Sequence, residues 1–440
     1  MFFYSTRNQN QQITLSQAIR HGLADDGGLF VPQYFPQITL EQLDPQLTYA
    51  QFAATILAEY FRDDLLSSEL ANICQRAFTF PLELKSLNSN TFILELFHGP
   101  TLSFKDFGAR FLAECLSYLS AKQKTTILVA TSGDTGSAVA SAFYRKANIE
   151  VIILFPKGQI SPRQEQQISC WGDNVTALAV NGSFDDCQKL VKEALNDSSW
   201  KALGNLSSAN SINIARLLAQ ITYYAYTSWK FILAQSGNCA TGFDCTKSVG
   251  FIIPTGNVGN ATAAFWAKAM GFPIGEIVLA TNQNRVISDY LAHGKFTPRP
   301  SINTIANAMD VGNPSNFERL SSLYNNEFAA FKNSVRAFSV SDAQIRETIV
   351  EMQRQFNYIV CPHTATACFA ARQLEQQPWI IAATADPCKF NTIIEPIIKG
   401  KLPIAAQLKS LLNLPSSSLE INANLSELNS ILENKNHATN

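Results

Sequence analysis

Charge is scarce in this 440-residue chain: Asp, Glu, Lys and Arg make up 16%, with 34 basic side chains against 35 acidic ones. A net charge of -1 gives no global field for nucleic acid or an anionic membrane, although it leaves local basic patches open. Histidine is scarcer still. The five (His21, His98, His293, His363, His437) include no pair spaced to hold a metal on one helix turn, so no metal site is expected. No stretch approaches the roughly 18 unbroken apolar residues of a membrane helix. Residues 1–12 turn polar after Phe3 and carry no apolar signal region. The nine cysteines are odd in number, scattered, and without a Cys-x-x-Cys pair. That argues against a secreted disulfide framework and for reduced thiols in a cytoplasmic protein. Low charge with 21 Gly and 18 Pro also excludes coiled-coil, collagen-like and low-complexity classes.

What the chain has in quantity is apolar sequence, 46% of it, over a length that points to two or three packed units. From Thr125 onward, short apolar runs alternate with helical patterns, the signature of an α/β protein with parallel sheet. Thr125–Ala130, Val151–Phe155, Val175–Val180, Phe251–Ile253 and Ile277–Ala280 read as strands buried on both faces. Helical stretches follow at Ser137–Tyr144, from Phe184, and at Ala261–Met270. The first ~90 residues are mixed and helix-rich, and suggest an N-terminal domain or cap. Residues 236–247 form a polar insertion, and the chain after Gly400 ends in an Asn-rich tail expected to be mobile.

Three segments carry chemistry. Phe97–Arg110 (FHGPTLSFKDFGAR) turns at His98-Gly99-Pro100 and opens a helix, with Ser103 and Asp106 as an expected capping pair. Phe107, Phe111, Leu112, Cys115, Leu116 and Leu119 recur behind it at helical spacing, placing Lys105 in the first turn against an apolar element. Desolvation and the helix dipole both lower a lysine's pKa, which suits a Schiff-base nucleophile; an ordinary surface lysine is the other reading. Thr131–Ala138 (TSGDTGSA) and Pro254–Asn260 (PTGNVGN) each join a strand to a helix through glycines. Both are either anion cradles or common strand–helix loops, and neither has the full dinucleotide pattern. Lys157, Gln159, Ser161 and Arg163 are either a substrate-phosphate site or a solvated helix start. Ser208–Asn213 is either a polar wall of the site or a capped turn. His363 reads as structural more readily than as a base, and Thr384, alone, as a strand-end threonine.

One amine nucleophile and two phosphate-type loops together suggest pyridoxal phosphate. FHGPTLSFKDFG, ATSGDTGSAVA, SANSINIARLLAQ, PTGNVGNATA and NAMDVGNPSN, in that order, resemble the threonine synthase family of many bacteria and of fungi. The likeness runs from DDGGLFVP to TADPCKF, nearly the whole chain. It implies the tryptophan-synthase-β-like fold (fold type II): two α/β domains with parallel sheets and an N-terminal cap domain. The expected division is 1–95 for the N-terminal domain, 96–124 with 214–400 for the large cofactor domain, 125–213 for the small domain, and 401–440 for a C-terminal extension. Lys105 then matches the Schiff-base lysine and catalytic residue. Gly256, Asn257, Val258, Gly259 and Asn260 match the cofactor's phosphate loop, Thr384 the hydroxyl facing the pyridine nitrogen, and Asp134 the place near the ring hydroxyl. Ser132, Gly133 and Thr135 match the substrate loop, with Lys157, Arg163, Ser208, Asn210, Ser211 and Asn213 as substrate-binding candidates. The family usually reads SGNFGD and TAHPAKF where this chain has TGNVGN and TADPCKF, with Asp386 in place of a histidine.

The activity implied is a carbon–oxygen lyase converting O-phospho-L-homoserine and water to L-threonine and phosphate, with Lys105 as repeated acid and base and domain closure on the substrate. The alternatives are another lyase of the same fold, such as a serine/threonine dehydratase or a phospholyase, or a catalytically silent pyridoxal-phosphate binder. The expected partner is a small molecule, with no nucleic acid and no membrane, bound by a monomer or homodimer.

Overall fold

The computed structural model describes residues 1–197, 200, 205–235, 247–375 and 377–438. The polar insertion therefore lies outside the described residues but for Lys247. No described helix is long and apolar enough to cross a membrane.

Fourteen strands are described: β1 (Phe2–Ser5), β2 (Ile13–Thr14), β3 (Phe30–Pro32), β4 (Glu83–Ser86), β5 (Thr91–Glu95), β6 (Thr125–Ala130), β7 (Ile149–Pro156), β8 (Val175–Asn181), β9 (Asn205–Ser208), β10 (Val249–Pro254), β11 (Ile274–Thr281), β12 (Arg336–Ser339), β13 (Trp379–Ala383) and β14 (Leu419–Asn422). They form three sheets. A small antiparallel one, β2-β1-β3, opens the chain. A six-stranded sheet, β12-β11-β10-β13-β5-β4, is parallel except for its edge strand β4. A five-stranded sheet, β14-β8-β7-β6-β9, is parallel throughout. Each larger sheet is the centre of one lobe, and the apolar runs read from the sequence lie in their interiors because both faces are covered by helices.

Sheet membership corrects two expected boundaries. Glu83–Ser86 and Thr91–Glu95 belong to the six-stranded sheet, so that lobe begins before residue 96: β5 pairs with β13 from Thr91↔Trp379 to Glu95↔Ala383. The tail is no loose extension either. Its β14 pairs with β8 in the other lobe, burying Ile421, while Leu428 of the following helix is buried in the same cluster. The signal was weak because β14 has four residues, three of them exposed.

The helix Lys105–Leu119 is the axis between the lobes. Phe107, Phe111, Leu112, Cys115, Leu116 and Leu119 are all buried in the main core, as their spacing implies. At Gly108 the neighbouring helix Ile214–Gln235 comes so close that a Cβ would stand 3.2 Å from the Arg216 Cβ and carbonyl oxygen. A glycine there lets the two helices approach, and this brings Arg216 beside Lys105. The expected Ser103–Asp106 cap does not form. Phe104 occupies the cap position, and Asp106 instead accepts from the Thr101 N–H at 2.9 Å and hydroxyl at 2.6 Å.

The N-terminal segment is pinned to both lobes. Phe52 stacks on Trp229 with ring centroids 5.2 Å apart. The fully buried Arg319 guanidinium donates to Phe30 O (3.0 Å), Ile212 O (2.6 Å) and Asn316 Oδ1 (2.8 Å), so one side chain fixes β3 and two loops at once.

Candidate active site

The loops that follow β5, β6, β10 and β13 leave the carboxyl ends of their strands and converge between the lobes, where ligands of open parallel sheets bind. They line a cleft whose volume, open solvent included, is about 850 Å³. Lys105 lines it from the first turn of its helix, with a side chain only 13% exposed. Burial pushes this lysine's pKa down to about 8; Arg216 and Lys389 add to the effect, and Asp134 opposes it. The Lys105 Nζ stands 3.9 Å from Asp134 Oδ2.

The segment after β6 is held by Thr131, whose hydroxyl accepts from the Gly133 and Gly136 N–H groups at 2.9 and 2.8 Å. Gly133 takes φ +128°, a conformation that favours glycine, and a Cβ there would lie 2.5 Å from Gln164 Nε2. Gln164 donates in turn to Asp134 Oδ1 at 2.9 Å, and Lys389 Nζ approaches the same oxygen at 2.8 Å. Burial opposes the charge of Asp134, yet the Lys389 and Lys105 ammonium groups hold its carboxyl well below the usual range. It is ionised.

After β10, Val258 adopts the left-handed conformation (φ +64°) and caps the helix Gly259–Ala269. A β-branched residue pays roughly 1–3 kcal/mol for that geometry, a strain typical of ligand-holding loops. Asn257 is braced from outside: its carbonyl accepts from the Asn316 N–H at 3.1 Å and its side chain from the Ser315 N–H at 3.3 Å. Asn260 Oδ1 accepts from the Tyr223 and Tyr224 hydroxyls, which leaves its Nδ2 buried without a partner. The Thr255 hydroxyl is likewise buried and unpartnered. Two orphaned donors flank the amides of one helix N-terminus.

Thr384 follows β13; its carbonyl accepts from the Phe104 N–H at 2.9 Å, which seats it beside Lys105. Asp386 accepts from the Cys388 N–H at 2.7 Å and caps a short helical turn. That local job explains how an aspartate serves where the family often has histidine.

Of the residues proposed from sequence, the cavity is lined by Lys105, Ser132, Asp134, Thr135, Asn210, Ser211, Gly256 to Asn260 and Thr384. Five others stand elsewhere. Lys157 pairs with Glu420 of β14 at 2.6 Å within the small lobe, and Arg163 donates to the Cys388 carbonyl across the lobes, so both basic groups are taken by the protein's own structure. Asn213 donates to Ile19 O at 2.9 Å as a buried brace, Ser208 faces a neighbouring cleft, and Gly133 shapes the backbone.

Sequence reasoning missed three groups. Arg216 lines the cavity fully buried, with Nη1 on Ala209 O at 2.7 Å, an unpartnered Nε, and no carboxylate pairing with it among the described residues. A lone cation in the apolar run INIARLLAQ was its signal. His363, read as structural, also lines the cavity. Its Nε2 accepts from the Ala308 N–H at 3.1 Å, so the proton sits on Nδ1; burial pushes its pKa down to about 4, and it is neutral. Lys389 is fully buried behind Asp134, and nothing in TADPCKF marked it.

Known proteins resemble the chain along its whole length. The family described as pyridoxal-phosphate dependent enzyme matches residues 79–382, and that described as threonine synthase N terminus matches residues 2–78. A threonine synthase of Buchnera aphidicola is 39% identical over 442 residues, covering 99% of this chain and 100% of the relative. The crystal structure of threonine synthase from Escherichia coli superimposes with a TM-score of 0.89 at 35% identity, covering 99% and 100%. That of the pyridoxal-phosphate-bound threonine synthase from Brucella melitensis does so with 0.87 at 33% identity, covering 98% of each.

Proposed function

The chain belongs to the threonine synthase family of pyridoxal-phosphate-dependent lyases, and from that premise we propose how its own residues bind and turn over the substrate. It converts O-phospho-L-homoserine and water to L-threonine and phosphate, with pyridoxal phosphate as cofactor. The cavity suits that cofactor, because a buried lysine with a lowered pKa faces one side and a helix N-terminus with two unpartnered donors the other.

The Gly256–Asn260 loop would hold the cofactor's phosphate through its backbone amides, the Thr255 hydroxyl and Asn260 Nδ2. Thr384 would face the ring nitrogen and Asp134 the ring hydroxyl. When bound, the cofactor supplies an electron sink for carbanion chemistry at the substrate. Lys105 would hold the cofactor and, as a free amine, move protons at the substrate carbons. An amine whose pKa lies near 8 gives and takes protons efficiently at neutral pH. Ser132, Thr135, Asn210 and Ser211 orient the substrate's polar groups on the opposite wall.

Arg216 carries this reading. A buried guanidinium with no carboxylate partner among the described residues is a costly arrangement unless an anion completes it. The substrate brings a phosphate, and Arg216 is placed to receive it as the leaving group gathers charge. This replaces Lys157 and Arg163 in that role. The seven described cysteines, all buried and unpaired, favour the cytoplasm.

The test is to supply O-phosphohomoserine to the cofactor-loaded protein and measure phosphate, threonine and ammonia together. Phosphate and threonine are expected in equal amounts, and Arg216→Gln should lower kcat/KM by roughly 10²-fold. An Arg216→Gln protein as active as wild type would remove the arginine from the mechanism.

A further inference from the structure

Where the two lobes meet, Lys389 is sealed completely from solvent. Its Nζ donates to the Thr101 carbonyl at 2.7 Å, on the large-lobe side, and stands 2.8 Å from Asp134 Oδ1, on the small-lobe side. Gln164 takes the same carboxylate oxygen at 2.9 Å. The other oxygen, Oδ2, faces Lys105 Nζ at 3.9 Å. Lys389 does not line the cavity, so it touches no substrate and acts by its charge, on Asp134 and on Lys105.

The remaining ionisable groups near Lys105 do not compete for this place. Asp106, on its own helix, is turned to Thr101. Arg216 comes from the helix Ile214–Gln235 and bears the same sign as Lys105. Cys361 and His363 lie at the start of the helix Pro362–Ala371; His363 is neutral, and burial first pushes the Cys361 thiol up, keeping it protonated. Asp134 is thus the carboxylate to which a protonated Lys105 can turn.

We infer that Lys389 is a positioning residue for the reaction: by neutralising Asp134 from behind, it leaves the Lys105 amine free to lose its proton. A buried carboxylate cannot stand alone without a large desolvation cost. With Lys389 present, that demand is met by an ammonium that takes no part in the chemistry. Without it, Asp134 would hold Lys105 in its protonated form, where the nitrogen has no lone pair to offer. The positive charge of Lys389 also repels a proton from Lys105 directly, so both effects have the same sign.

This inference rests on Lys105 as the amine that captures the cofactor. The full-length protein, stripped of cofactor, is mixed with pyridoxal phosphate, and the rate at which the visible band grows is measured against pH. Amine and aldehyde condense with loss of water, and only the neutral amine reacts, so the midpoint reports the Lys105 proton. The wild-type midpoint is expected near the value of about 8 set by its surroundings. Lys389→Met should raise it by about one pH unit or more, and Asp134→Asn should lower it. The double variant Asp134→Asn with Lys389→Met should return within about half a unit of wild type, since the opposing charges leave together.

A Lys389→Met protein that is less stable but keeps the wild-type midpoint would mean a structural tie between lobes and overturn the inference. So would single variants that shift the midpoint in the same direction. If Lys389→Met does not fold, the comparison of Asp134→Asn with the double variant decides: identical midpoints overturn it, and a higher one in the double variant supports it. Failure of the wild type to capture cofactor at any pH would sink the role of Lys105, a separate outcome.

Discussion

Lys105 is kept reactive at the expense of stability. In the unfolded chain its amine has an ordinary pKa of 10.5, against about 8 in the fold. The folded state therefore prefers the neutral amine. Below about pH 8 both states bind the proton and the full cost of burying it is present; the cost fades as pH rises from 8 toward 10.5. Lys105→Met should accordingly stabilise the cofactor-free protein by about 2–4 kcal/mol at pH 7 while abolishing turnover. Melting temperatures at pH 7 and pH 10 check this, and a gain that does not shrink at the higher pH would contradict it. Arg216 imposes the same kind of cost. Burial pushes its pKa down to about 10, and no carboxylate among the described residues pairs with it. Both residues are legible in the sequence only as charges in apolar surroundings. Arg216 was the harder to see, since a helix of mostly apolar residues can carry a cation on a solvent face equally well.

At the scale of elements, β14 shows how a short tail segment becomes structural. It covers the edge of β8, and its Glu420 holds Lys157 at 2.6 Å. Ile421 is 4% exposed and packs with Leu178 and Val180. Ile421→Asp places an unpaired carboxylate there and should cost about 2–4 kcal/mol, measured by urea unfolding of the small lobe. Lys157→Ala removes only a half-exposed ion pair and should leave kcat/KM within about twofold of wild type. A large loss of kcat/KM in Lys157→Ala would restore the sequence-based reading of that residue as a substrate contact. The core strands β6, β7, β8, β10 and β11 were readable because a strand buried on both faces is an unbroken apolar run. β4, β9, β12 and β14 are short, and all four lie at sheet edges, where one side of the ladder needs no partner. Their pairing is decided by what lies beside them.

For the whole molecule, the cavity is built from both lobes at once. Ser132, Asp134, Thr135 and Phe184 come from the small lobe, Lys105, Thr384 and the Gly256–Asn260 loop from the large one. Groups on opposite walls can close on a substrate that binds both, excluding water while charge develops. O-phosphohomoserine should therefore slow amide exchange at 131–135 and around Phe184 in the cofactor-loaded protein, and inorganic sulfate should do so much less. Equal protection by the two would mean that the anion alone sets the lobe position.

The order of motifs along the chain was enough to determine the family, and it picked out a lysine and two glycine loops that line one cavity, because each is a local pattern: a lysine opening an apolar helix, or a glycine turn between strand and helix. Tertiary structure decided the rest. Lys389 meets Thr101 across 288 positions of sequence, and Lys157 meets Glu420 across 263. Two lysines of similar appearance in the sequence thus take opposite fates, one sealed behind the active carboxylate and one tied to an edge strand. What a charge does depends on its partner and on the water left around it, and both are fixed only when distant segments pack together.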